Sequence, residues 1–129
     1  MKSFATGFVF LWFLLGGIAH FVFDATMMKI MPPYVPAPLA VIHISGVFEL
    51  LGAFGLLLAS TRKLAGNCLI ALTMAVSLAN IHMWQHPELF PQFPEWLLSF
   101  RLLFQLLFML CIYWVSRPDN QALLISIRR

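Results

Sequence analysis

Charge is the scarcest property of this sequence: of 129 residues only 10% are Asp, Glu, Lys or Arg. Ordinary soluble domains carry about 25%, so the deficit excludes a water-soluble globular fold. Cysteine is nearly absent too. Cys68 and Cys111 stand far apart with no C-x-x-C, which leaves a thioredoxin-like or quinone-reducing dithiol without a motif and reads as two helix-packing thiols. The net charge of +3 does not indicate nucleic acid, because the basic residues are scattered and form no patch with interleaved aromatics. No internal repeat or low-complexity segment divides residues 1–129, so a single domain is expected.

Apolar residues fill the space that charge leaves, at 61% of the chain. Four runs reach the length of about 20 residues that a helix rising ~1.5 Å per residue needs to cross ~30 Å of hydrocarbon: Phe4 to Phe23, Leu39 to Ala59, Leu64 to Trp84 and Trp96 to Val115. The expected fold class is an all-α membrane protein, a four-transmembrane-helix bundle, with too little chain left over for a soluble catalytic domain. Lys2, Arg62, Lys63, Arg117, Arg128 and Arg129 fall on one side of these spans. The opposite loops hold Lys29 among Asp24, Glu88 and Glu95. By the positive-inside rule both termini are then cytoplasmic. Lys2, the first apolar run and Gly17-Ile18-Ala19 loosely resemble a signal peptide. The run is longer than the ~7 to 15 residues of a usual signal core, and its loss would leave an odd number of spans.

The connecting segments carry turn chemistry. Residues 24–38 include prolines 32, 33, 36 and 38 and are expected to form an extended, rigid interfacial loop, with Pro38 as the first residue of the second helix. Ser60 or Thr61 is the expected N-cap of the third span. Pro87, Pro91 and Pro94 interrupt the next loop before the interfacial anchor Trp96. Pro118 ends the last span, and residues 119–129 could form only a short surface helix.

Polar residues within the spans are few and share one leaflet. Counted from the outer face, Glu49 lies about 15 Å deep, Gln105 about 13 Å, Arg101 about 7 Å and Asn80 about 6 Å. His20, His43 and His82 belong to the same half. A carboxylate at mid-bilayer costs about 2.5 to 3.5 kcal/mol even on insertion scales, so Glu49 marks a functional site by default. Ser45, Glu49 and Gly52 share a helix face by their spacing, as do Arg101 and Gln105. Arg101, the only cation inside a span, is the natural counter-ion for Glu49, directly or through Gln105 or water. The cluster Glu49, Arg101, Asn80, Gln105, Ser45 and His20 is therefore read as an outward-facing ligand-binding pocket or as structural polar glue. His43 and His82 are weak candidates for haem or metal, since no Cys/His cluster accompanies them.

Several segments together carry a family resemblance: Gly17-Ile18-Ala19-His20-Phe21, Ile30-Met31-Pro32-Pro33-Tyr34-Val35-Pro36, Ser45-Gly46-Val47-Phe48-Glu49-Leu50-Leu51-Gly52, Ala79-Asn80-Ile81 and Arg101-Leu102-Leu103-Phe104-Gln105. The chain resembles the DoxX-like family of small bacterial membrane proteins. Leu78 and Leu103 stand where members often carry proline. The resemblance implies a four-helix membrane fold and, through relatives that include a thiosulfate:quinone oxidoreductase subunit, a membrane redox context. The expected function is a non-catalytic or quinone-associated membrane subunit with a partner subunit in the bilayer, not an enzyme on its own. The alternatives are a small-solute or proton-coupled transporter and a structural or chaperone-like membrane protein.

Overall fold

The structure, a computed structural model, describes residues 1–118 with Ile125, Ile127 and Arg128. The short helix expected over 119–129 lies largely outside the described residues. The elements run α1 (Lys2–Val22), α2 (Asp24–Ile30), α3 (Pro38–Leu57), α4 (Arg62–Gln85), a single 3₁₀ turn at Pro87–Leu89, and α5 (Glu95–Ser116), with no strand among the described residues. Helices α1, α3, α4 and α5 are long and apolar enough to cross a membrane. Their bounds fall within a few residues of the expected spans.

Apolar character here exceeds what a protein core can use. Between 17% and 33% of each helix's most apolar window is buried inside the bundle, and Leu15, Leu51, Leu64 and Leu110 are each more than half exposed. Helices that are hydrophobic all round but buried on one narrow face have their remaining apolar surface directed outward.

The four long helices pack as a ring in chain order, α1 beside α3, α3 beside α4, α4 beside α5 and α5 beside α1. Each neighbouring pair is antiparallel. Along α1 and α3, Phe10 meets Phe54, Gly17 meets Gly46 and His20 meets Ile42. Along α4 and α5, Gly66 meets Ser116, Asn80 meets Gln105 and Trp84 meets Ser99. This up-down-up-down arrangement follows from the short connections. It brings Lys2, Arg62 and Arg117 together at one end.

Two apolar clusters hold the ring closed. Near the cationic end Val9, Phe13, Leu56, Leu69, Phe108 and Ile112 form the larger; at the opposite end Met83, Phe90 and Leu98 form the smaller. Between the clusters the helices do not fill the interior.

Local chemistry departs from expectation in three places. Residues 24–30 form α2 rather than extended loop, since the prolines begin only at Pro32 and Asp24 supplies a favourable acidic first turn. Thr61 does stand at the N-cap of α4 but makes no side-chain cap there. Its hydroxyl donates backward to the Gly55 carbonyl at 2.9 Å, while Arg62 Nε reaches Leu56 O at 2.7 Å and Arg62 Nη2 reaches Leu57 O at 3.3 Å. The residues that open α4 thus satisfy the orphan carbonyls that close α3. Cys111 packs against the core as expected, whereas Cys68 is exposed on the outer surface. Pro38 does open α3, preceded by Ala37 at φ 46°.

One interhelical approach is reciprocal: a Cβ on Gly17 would stand 3.1 Å from Gly46 O, and one on Gly46 would stand 3.1 Å from Gly17 O. Because a Cβ on Gly46 would meet this backbone oxygen as well as His20 and Phe21 side-chain atoms at 2.8 Å, Gly46→Ala is expected to destabilise the bundle by about 1–3 kcal/mol, read as a lower unfolding midpoint in detergent micelles. An unchanged midpoint would show that the two helices separate without cost.

Candidate functional site

The unfilled interior between the two apolar clusters is a cavity of about 710 Å³. Its apolar wall is aromatic: Trp12 and Phe13 from α1 face Phe100, Phe104 and Phe108 from α5. Trp12 lies 5.3 Å from Phe104 and 5.2 Å from Phe108, and Phe104 stacks on Phe108 at 5.8 Å. Met27 and Ile30 of α2, with Met31 and Pro32, border the cavity at the end away from the cationic residues. All six expected site residues, His20, Ser45, Glu49, Asn80, Arg101 and Gln105, line it. Helix α1 contributes His20, α3 contributes Ser45 and Glu49, α4 contributes Asn80, and α5 contributes Arg101 and Gln105.

The polar side chains form two separate sets. In the first, His20 Nδ1 lies 2.7 Å from the Ile42 carbonyl oxygen. A carbonyl only accepts, so Nδ1 carries a proton and Nε2 is the nitrogen that turns toward Glu49. Nε2 stands 3.5 Å from Glu49 Oε2, with both side chains nearly enclosed at 13% and 11% exposure. No hydrogen bond joins the two at that distance, and the contact is an ion pair only when the ring is protonated. Glu49 Oε2 has no hydrogen-bond partner among the described residues. It fits because residue 16 is glycine; a Cβ there would stand 3.1 Å from Oε2.

The second set is a directional chain. Arg101 Nη2 donates to Asn80 Oδ1 at 2.8 Å, Asn80 Nδ2 donates to Gln105 Oε1 at 2.8 Å, and Gln105 Nε2 donates to the Thr73 carbonyl at 2.9 Å. One end is a guanidinium, which only donates, and the other a carbonyl, which only accepts, so both amides are fixed in orientation. Arg101 Nη1 also approaches Met83 Sδ at 3.4 Å.

This geometry corrects the expected pairing of Glu49 with Arg101. No ion pair joins them among the described residues. Helices α3 and α5 are diagonal in the ring, so their side chains face each other across the cavity while each finds its partner on an adjacent helix. Glu49 meets His20 of α1 and Arg101 meets Asn80 of α4. Sequence reasoning missed that the Thr73 backbone anchors the polar chain, since a backbone carbonyl carries no residue-specific signal. It also gave no particular role to the Trp12, Phe104 and Phe108 wall, whose only sequence signal is aromatic density.

The remaining histidines lie outside this arrangement. His43 Nε2 contacts Asp24 Oδ2 at 3.1 Å and its ring stacks on Phe21. His82 packs against His86, which in turn contacts Glu88 at 3.2 Å. Among the described residues no group of three or more His, Cys, Asp or Glu is arranged to hold a metal.

The fold and the cavity define a class: a small helical bundle with four helices of membrane-crossing length around an amphiphilic interior site. The chain belongs to the family described as domain of unknown function DUF8561, whose model matches residues 10–116 and so covers every residue of both polar sets. No curated protein and no solved structure matches it.

The polar chain should be cooperative. Asn80→Ala is expected to cost about 0.6–1.7 kcal/mol, and the double variant with Gln105→Ala less than the two singles added. Strict additivity in detergent unfolding would show that these contacts are independent.

Proposed function

We propose that this chain is a multi-pass membrane protein that binds a largely apolar, ring-bearing molecule with hydrogen-bonding oxygens, within the bundle and without catalysing a reaction on its own. The observation that carries this reading is the cavity, with an aromatic wall on one side and two polar sets facing inward from adjacent helix pairs. Structural glue alone would not call for a cavity of about 710 Å³, because unfilled interior forfeits packing energy. Aromatic faces suit a planar ring. The Arg101 guanidinium suits an acceptor oxygen on its rim, and Glu49 Oε2, which has no hydrogen-bond partner among the described residues, suits a hydroxyl. A quinone-like molecule meets these requirements.

Orientation and context belong to the same proposal. The gathering of Lys2, Arg62 and Arg117 at one end supports an orientation with that end and both termini in the cytoplasm, and the resemblance to bacterial DoxX-like proteins supports a bacterial inner membrane. The cavity then lies in the outer part of the bilayer. The resemblance to DoxX-like proteins supports a role as a subunit of a membrane redox system, with a partner subunit in the bilayer.

The test is mass and absorbance analysis of the organic extract from gently purified protein in lipid nanodiscs. The expected result is a copurifying quinone-like molecule, reduced about tenfold or more in both Glu49→Gln and Arg101→Ala, as loss of a charge-assisted contact predicts. An empty wild-type extract, or undiminished ligand in both folded variants, would overturn the proposal. A second reading, proton-coupled transport, draws on two enclosed titratable side chains, His20 and Glu49, standing 3.5 Å apart. It requires proton flux in liposomes that disappears in Glu49→Gln, and a tight wild-type vesicle removes it.

A further inference from the structure

The cationic end holds a second pocket, of about 330 Å³, which neither polar set of the central cavity reaches. Lys2 and Ser3 of α1, Arg62 from the start of α4, and Arg117 just past α5 line it together. Arg62 and Arg117, from distant parts of the chain, are thereby brought to one recess beside Lys2. Two guanidinium groups gathered in this way repel one another unless an anion joins them.

The two arginines are held by neutral groups. Arg62 is fixed on the Leu56 and Leu57 carbonyls. Arg117 Nη2 donates to Asn67 Oδ1 at 2.6 Å, and its guanidinium lies over the Tyr113 ring at 4.3 Å. Among the described residues no carboxylate pairs with either arginine. Lys2 Nζ donates to the Arg117 carbonyl at 2.6 Å, which ties α1 to the end of α5. The unusual atom is Arg117 Nη1, which is buried and has no hydrogen-bond partner among the described residues. A buried donor without an acceptor costs about 1–3 kcal/mol, more when charged, and the rest of the guanidinium is already positioned.

We propose that this recess binds a phosphate group, and that its source is the headgroup of an anionic lipid. A phosphate offers several charged acceptor oxygens to a guanidinium fork and a second guanidinium at once. Basic pockets between membrane helices at the cytoplasmic face are suited to such headgroups. Phe4, Leu58 and Leu64 are all exposed near this end, and they provide apolar surface along which acyl chains lie while the phosphate is held. The site is independent of the central cavity and of what that cavity binds.

The experiment is native mass spectrometry and thermal unfolding of the full chain with dioleoyl phosphatidylglycerol, with dioleoyl phosphatidylcholine and with inorganic phosphate. Wild-type protein is expected to bind phosphatidylglycerol at least about tenfold more tightly than phosphatidylcholine. Arg117→Gln should remove about tenfold of that affinity, the worth of one charge-assisted contact. Lys63→Gln, which removes a charge at the same end but outside the recess, should leave most of it. Equal protection by inorganic phosphate would support the phosphate site and assign its source to the free anion. Equal losses in Arg117→Gln and Lys63→Gln would overturn the proposal in favour of diffuse surface charge. Equal binding of the two lipids by wild-type protein would overturn it without any variant.

Discussion

The contact between Gly17 of α1 and Gly46 of α3 is the constraint on which the site depends. With no side chain at either position, the two backbones approach until each glycine's missing Cβ would meet the other's carbonyl oxygen. That closeness lets His20, less than one turn along α1, reach the Ile42 carbonyl of the next helix and present its other nitrogen to Glu49. Gly16 extends the same notch to admit the carboxylate itself. In an apolar surrounding, helices gain little from hydrophobic association and rely on such close packing and on interhelical hydrogen bonds. Here the two are joined, because the packing surface positions the polar pair.

The opposite wall is built on a different principle. The α4 and α5 pair is ordered by a run of hydrogen bonds whose direction is set by its ends, from the Arg101 guanidinium to the Thr73 carbonyl. Diagonal placement of α3 and α5 keeps the two walls from collapsing into one ion pair. An acidic residue and a basic residue face a shared space, each held by a neighbour. This separation leaves the interior accommodating rather than sealed.

Much of the architecture is legible in the sequence. The number of long helices, their bounds and the segregation of cations to one end follow from run length and from where Lys and Arg interrupt the runs, both of which are local. Depth along a helix is likewise a matter of counting, and the six residues grouped by depth and spacing all line the cavity. Pairing is not legible. Counting along each helix does not reveal which helices are adjacent and which diagonal, so the direct contact of Glu49 with His20 rather than with Arg101 is visible only in the structure. Helix α2 escaped for a related reason: four prolines colour the reading of the whole connection from residue 24 to 38, although they begin only after the short helix has ended. The reversed use of Thr61 and Arg62, on the helix before rather than the helix after, depends on chain reversal that a one-dimensional motif does not contain.

The way Arg62 and Thr61 close the end of α3 also bears on how the bundle is made. The α3–α4 hairpin satisfies its own terminal carbonyls and needs no other helix to do so. Two of its inward polar residues, Glu49 and Asn80, differ in what they must wait for. A chain synthesised from its N-terminus presents α1 first, so Glu49 emerges with His20 already made. Asn80 emerges before Arg101 and Gln105 exist, and its partners arrive only with the last long helix. The aromatic wall and the polar chain therefore close together, on the arrival of α5, and the interior site is the final part of the molecule to take shape.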